Sequence, residues 1–185
     1  MARLSPAQDD GNPELATAYA EIKATRGFVS NALRTLGHSP GGLLHFARVG
    51  EYVKYKTDLP EKLRELTILT SARGVPYAWA HHSPLAVQAG IGEHAVTEIG
   101  AGRVPATLPA NEQAIVAFVM ALGDLTVTDA IMDAMKRHFS PRQIVDVAMS
   151  ATYYGALGRM VVALGVDLDD PVTLQTERDW QKGRT

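Results

Sequence analysis

The chain contains no cysteine. That absence excludes disulfides, thiolate metal sites, and catalysis by a thiol nucleophile or a redox-active thiol pair. The formal net charge is only −2 and no basic run is present, so we expect no nucleic-acid partner. No apolar run approaches the ~20 residues that span a bilayer, and the N-terminus lacks the apolar stretch of a secretion signal. We therefore expect a cytoplasmic protein without a membrane partner.

Aromatic residues are scarce, at 6%, and no alternating apolar pattern typical of β-strands occurs. Apolar residues recur instead at helical spacing between proline and glycine breaks. The 185 residues suffice for one hydrophobic core that needs no disulfide or metal to stabilise it. The predicted fold is all-α, a single-domain helical bundle over residues 1–185. We place its core at about 40–166 and expect tails at 1–11 and 171–185.

The most informative stretch, Leu59 to Ile91, is predicted to form two helices that meet at the Gly74-Val75-Pro76 break. Glu65 falls inside the apolar arc of the first helix, where an unpaired charge would cost several kcal/mol or more. Antiparallel packing would bring an imidazole of the second helix to this carboxylate. A carboxylate that orients a histidine is suited to proton transfer.

Four side chains of the second predicted helix are candidates for a site. Tyr77, His81 and His82 share one side at i, i+4 and i+5 spacing, and Trp79 lies on a neighbouring edge. A structural interpretation is also open, in which Glu65 fills a buried polar gap and the histidines belong to the core or to an interface.

Further candidates lie outside this pair. Arg159 is a cation within small and apolar residues, so it needs either a structural salt bridge or a substrate carboxylate as its partner. A metal site from His81, His82, Glu93 and His94 is disfavoured, because adjacent helical side chains diverge by about 100° and no His-x₃-His spacing occurs among them. We predict no metal and no other cofactor.

A weak internal echo links the two halves of the chain. Residues 59–66 and 140–147 have the same layout, each followed by aromatic residues and closed by a glycine. Asp146 stands where Glu65 does, but no histidine follows it at the matching place. The echo predicts two related helical halves, of which the first carries the chemistry.

The stretches 64–69, 77–82, 85–86 and 89–90 resemble the carboxymuconolactone decarboxylase family, whose superfamily includes the alkyl hydroperoxidase D-like proteins. The resemblance covers about Pro40 to Val166. Aligned on His82, the Cys-x-x-Cys pair of the hydroperoxidase branch would fall on Val75 and Ala78. The chain therefore resembles the branch that lacks those cysteines, and a cysteine-dependent peroxidase mechanism is excluded.

The resemblance implies an all-helical homo-oligomer, a trimer or hexamer, and a cofactor-independent carboxy-lyase of aromatic compound catabolism. Its substrate would be a small cyclic carboxylate or lactone. Glu65 and His82 would be catalytic, with His82 as the proton donor. The expected substrate-binding residues are Tyr77, Trp79, His81 and Arg159. Two alternatives stay open, namely another proton-transfer enzyme on the same scaffold, such as an isomerase or hydrolase, and a non-catalytic helical binding protein.

Overall fold

A computed structural model describes residues 2–183. Over this range the chain forms ten α-helices and one π-helical turn, with no β-strand, which confirms the predicted all-α fold. The elements are α1 (Pro13–Arg26), α2 (Asn31–Leu36), α3 (Pro40–Glu51), the π-turn (Tyr52–Lys56), α4 (Glu61–Ser71), α5 (Pro76–Gln88), α6 (Glu93–Gly100), α7 (Ala110–Gly123), α8 (Asp129–His138), α9 (Pro141–Leu164) and α10 (Pro171–Lys182).

The chain divides into two compact units. One unit runs from Val53 to Gly158 and contains α4 to α8. The other is formed by the segments before and after it and contains α1 to α3 and α10. The assignment of residues 1–185 to a single domain stays a prediction.

Helix α4 is the central element of the 53–158 unit. It packs against α5, α6 and α7, and its side chains are buried on nearly every side. Residues 65–70 of this helix are all buried, so each polar group among them must bind a partner inside the protein. Thr67 and Thr70 do so by donating to the carbonyl oxygens of Leu63 and Leu66, at 2.8 and 2.7 Å.

The other unit has its own apolar core, in which α3 packs against α1 and α2. The N-terminal segment, predicted as a tail, is tied to this unit because the N–H groups of Arg3 and Leu4 both donate to the carbonyl of Leu164 at 3.1 Å. The predicted C-terminal tail is helical over α10, since Asp170 caps its first turn. The outermost tail residues, Met1, Arg184 and Thr185, lie outside the described range.

Most helix boundaries follow the capping residues of the sequence. Asn12 accepts hydrogen bonds from the first turn of α1, and Gly165 follows α9 with a φ of 61°. At α7 no such polar cap is present, and Asn111 lies within the helix. The helix begins at Ala110 because the backbone of the preceding residue, Pro109, is extended.

Helix α9 departs from the expectation that no segment could span a bilayer. By length and composition its 24 residues could cross a membrane, although charged residues interrupt the apolar sequence. Core helices of soluble proteins can have the same length and composition, and 39% of the most apolar part of α9 is buried within the described part of the chain.

Replacing Gly27 by alanine should lower the free energy of unfolding by about 1–3 kcal/mol. Its φ is 78°, and an added Cβ would lie 2.7 Å from the Trp180 indole. Gly11→Ala is the matched control, because its φ is 82° but no atom lies within 4 Å of the added Cβ. Urea unfolding of both variants separates the clash from the backbone strain, and equal losses would show that the clash costs nothing.

Candidate active site

The site is built around the carboxylate of Glu65 on α4, which is 0% exposed. One of its oxygens, Oε1, lies 2.6 Å from Nζ of Lys54, and the Lys54 side chain is 2% exposed. This distance and burial describe a charge-assisted hydrogen bond shielded from water. The carboxylate therefore has the internal partner that its place in the apolar arc required.

Lys54 lies on the π-turn between α3 and α4, and sequence reasoning missed it. The wider turn of a π-helix changes which side chains point inward, and such turns occur frequently at functional sites. The lysine is buried while Lys56, two residues on, is exposed. The sequence offered one signal, a Glu65 carboxylate that needed a cation, but nothing in the helical pattern selected Lys54.

The second oxygen of Glu65 faces the imidazole of His82 on α5, as predicted from antiparallel packing. Oε2 lies 3.6 Å from Nδ1, and the His82 side chain is 8% exposed. This separation is longer than a formed hydrogen bond of about 2.7–3.2 Å. It is an electrostatic contact that a shift of less than 1 Å would close, as is common in ligand-free sites.

The Glu65 carboxyl is held in its ionised form. Burial by itself raises its pKa, but the charges of Lys54 and His82, with the hydrogen bond from Lys54, together outweigh burial and lower the pKa to about 2. Because the anion persists over the whole physiological range, Glu65 can orient a neighbouring proton carrier but does not itself exchange a proton there.

This lowered pKa predicts a specific loss of stability in acid. A carboxyl whose pKa is lower in the folded than in the unfolded chain stabilises the fold above its unfolded pKa of about 4.5. That contribution should disappear as the pH falls from about 4.5 towards 2. Urea unfolding across this window should show a steeper loss for the wild type than for Glu65→Gln. Identical pH dependences would contradict the lowered pKa.

Aromatic rings surround His82 on the remaining sides. The ring of Tyr154, on α9, meets its imidazole edge to face, with centroids 5.1 Å apart and planes at 85°, and Tyr153 packs on Tyr154 at 5.2 Å. His81 lies 6.5 Å from His82 and 4.8 Å from Tyr77. Such pairs stabilise ring orientation, so His82 is held between a carboxylate and an aromatic edge.

The predicted residues differ in their depth. Tyr77 is half-buried, whereas His81 and His82 are 6% and 7% exposed and Lys54 and Glu65 are 1% and 0% exposed. The two imidazoles are thus slightly more exposed than the ion pair.

Trp79 lies away from the Glu65–His82 contact, and its role in substrate binding stays a prediction. It lines an open groove of about 790 Å³ between α5 and α6, whose other walls include Val75, Pro84 and Val96. Its indole lies against Gly100, where an added Cβ would come within 3.0 Å of the ring. Glu65 and His82 are not among the lining residues. Trp79 precedes His82 by three positions, about 60° around the helix, and its indole packs towards Gly100 of α6.

Arg159 belongs to the other unit, where it is exposed. Its role in substrate binding stays a prediction. His94 forms a surface contact of 3.5 Å with Glu98, and within residues 2–183 no three His, Asp or Glu side chains are grouped so as to hold a metal ion. Asp146, the counterpart of Glu65 in the internal echo, is buried.

Comparison with known proteins identifies the fold of the chain. No protein-family model matches the chain, and a search of curated proteins finds no match. Solved structures do match it. The debrominase Bmp8 has a TM-score of 0.73 at 19% identity, over 98% of this chain and 97% of that one. A cysteine-to-alanine variant of Bmp8 in complex with 2,3,4-tribromopyrrole has a TM-score of 0.74 at 18% identity, over 98% and 97% of the two chains.

Peroxidase-related proteins match over similar lengths. An alkylhydroperoxidase AhpD core protein from Ralstonia eutropha JMP134 has a TM-score of 0.77 at 20% identity, covering 95% of this chain and 96% of that one. A peroxidase-related protein from Silicibacter sp. TM1040 has a TM-score of 0.74 at 17% identity, covering 89% of each chain. The chain therefore has the alkyl hydroperoxidase D-like fold.

Proposed function

We propose that this protein is a cofactor-independent enzyme that delivers a proton to carbon, and more specifically a carboxy-lyase. Its substrate would be a small cyclic carboxylate or lactone. One observation carries the proposal, namely that the buried Glu65 carboxylate lies 3.6 Å from Nδ1 of His82. This is the arrangement that a carboxylate-oriented proton donor requires.

The reaction needs little more than such a pair. Breaking the bond to CO₂ leaves its electron pair on carbon, delocalised into the neighbouring lactone carbonyl. Protonated His82 then gives its Nε2 proton to that carbon, while Glu65 holds Nδ1 on the other side of the ring. Tyr77 and His81, beside the imidazole, would donate hydrogen bonds to the developing enolate oxygen.

Other proton-transfer reactions, such as an isomerisation or a hydrolysis, could use the same pair. A non-catalytic binding role is favoured by one observation, which is that the open groove lies apart from Glu65 and His82. The chain has no thiol, so we do not propose the thiol chemistry of a cysteine-dependent peroxidase.

A substrate panel with product analysis tests the proposal. Cyclic carboxylates and lactones should be incubated with the pure protein, with CO₂ release and the isomerised or hydrolysed products measured separately. We expect CO₂ release that His82→Ala abolishes. Product formation without CO₂ would point to the isomerase or hydrolase alternative, and no turnover together with binding in the groove would point to a binding protein.

We further propose a cytoplasmic homo-oligomer, a trimer or hexamer. Val145 and Met149, on one side of α9 within the 53–158 unit, are 55% and 40% exposed, which supports a face that another copy covers. Sedimentation equilibrium should give three or six times the mass of 19.9 kDa. A monomer would contradict this part of the proposal.

A further inference from the structure

We propose that Lys54 is a positioning residue that balances the charge of Glu65, so that His82 alone carries the mobile proton of the site. The catalytic meaning of this assignment rests on the function proposed above. The electrostatic assignment itself can be tested without any substrate.

The first step is the division of the carboxylate between two partners. Oε1 is 2.6 Å from Nζ of Lys54 and Oε2 is 3.6 Å from Nδ1 of His82, so the two partners occupy different oxygens. Lys54 is the closer partner and lies on the inner side. The imidazole therefore shares a carboxylate that another cation already neutralises.

The second step concerns what this neutralisation does to the imidazole. A buried carboxylate without Lys54 would bind an imidazolium as its counter-ion and retain it, because the alternative is an unpaired buried charge. With Lys54 present, the imidazole faces a pair whose net charge is zero. His82 can then gain and release its proton without leaving the Glu65 carboxylate unpaired.

Lys54 from the π-turn and His82 from α5 are the charges that lower the pKa of Glu65. The rings that face His82 are Tyr154 from α9 and His81 from its own helix, and Tyr77 lies beyond His81. Removing either member of the Lys54–Glu65 pair should therefore shift the titration of His82, and the two removals should shift it in opposite directions.

An NMR titration of the His82 Cε1–H resonance tests this directly. In Lys54→Met the midpoint should rise by about one pH unit or more, since the anion is left alone beside the ring. In Glu65→Gln it should fall, since the lysine is left alone. In the double variant Lys54→Met/Glu65→Gln it should return towards the wild-type value. A side chain that only fills space would not produce shifts of opposite sign.

Lys62→Met is the matched control. Lys62 also forms a 2.6 Å pair, with the buried carboxylate of Glu112, but neither residue contacts His82. This variant should leave the His82 midpoint unchanged. An equal shift in Lys62→Met and Lys54→Met would show a general effect of lost charge and would overturn the assignment.

The design also covers a Lys54→Met protein that fails to fold. The double variant buries no unpaired charge at this pair, and its comparison with Glu65→Gln isolates the charge of Lys54 in a neutral background. A higher midpoint in the double variant than in Glu65→Gln supports the proposal, and equal midpoints overturn it. If the shifts occur but His82→Ala retains full turnover, the proposed function fails while the role of Lys54 stands.

Discussion

Replacing Lys54 by methionine should lower the free energy of unfolding by about 3–5 kcal/mol. The substitution keeps the length of the side chain but leaves the Glu65 carboxylate, which is 0% exposed, without its nearest cation. The cost of an uncompensated buried charge exceeds the cost of the small change in packing. Urea or guanidinium unfolding monitored by far-UV circular dichroism measures the loss.

Two variants control for this effect. Lys54→Met/Glu65→Gln removes both charges and should recover most of the stability, because neutralising a whole buried pair is often close to neutral. Lys62→Met should lower the free energy of unfolding by less than Lys54→Met. The Lys62 side chain is 35% exposed, so water can reach the place that its ammonium group vacates. A Lys54→Met protein as stable as the wild type would mean that the buried pair contributes nothing.

Turnover should fall by about 10²–10⁴-fold in His82→Ala, the range that general acid–base catalysis contributes. The variant should stay folded, since Lys54 still pairs with the Glu65 carboxylate when the ring is removed. Glu65→Gln should also lose activity, because an amide cannot hold the imidazole as the anion does. The comparison is kcat with a substrate that the wild type converts.

His94→Ala is the control for this loss. His94 is a surface histidine whose side chain is 74% exposed and which contacts Glu98 of its own helix. Its removal should leave kcat unchanged. Full turnover by pure His82→Ala on the true substrate would exclude His82 as the proton donor.

The parts of the site that the sequence predicted are those that depend on local periodicity. Glu65 was placed inside the apolar arc because each residue of an α-helix advances by about 100°, and the structure buries it there. The short break between α4 and α5 required the two helices to pack as neighbours, which brought His82 to Glu65. Both inferences needed only helix geometry and one tight connection.

Lys54 and Trp79 were not predictable in this way. The position of Lys54 depends on a π-turn that no sequence pattern indicated. The helical pattern placed Trp79 on an edge of α5 near His82, but the packing of its indole against Gly100 depends on where α6 lies. Both outcomes are set by tertiary packing.

The helix within the expected C-terminal tail also depends on tertiary packing. The stretch after Asp170 is polar, and its composition did not indicate that it packs on the rest of the chain. The Trp180 indole, however, donates to the carbonyl of Thr25 at 3.1 Å and covers Gly27 within the same unit. A single anchoring side chain thus orders a helix whose composition carries little apolar signal.

The most direct test of the central claim is the tautomer of neutral His82, read from the ¹⁵N shifts of its ring nitrogens. If Glu65 orients this imidazole, the proton should reside on Nδ1, and Nε2 should be unprotonated and free to take up the proton that catalysis delivers. Glu65→Gln should weaken that preference. A neutral His82 protonated on Nε2 in the wild-type protein would contradict the proposed orientation, and with it the assignment of this pair as the proton-transfer site.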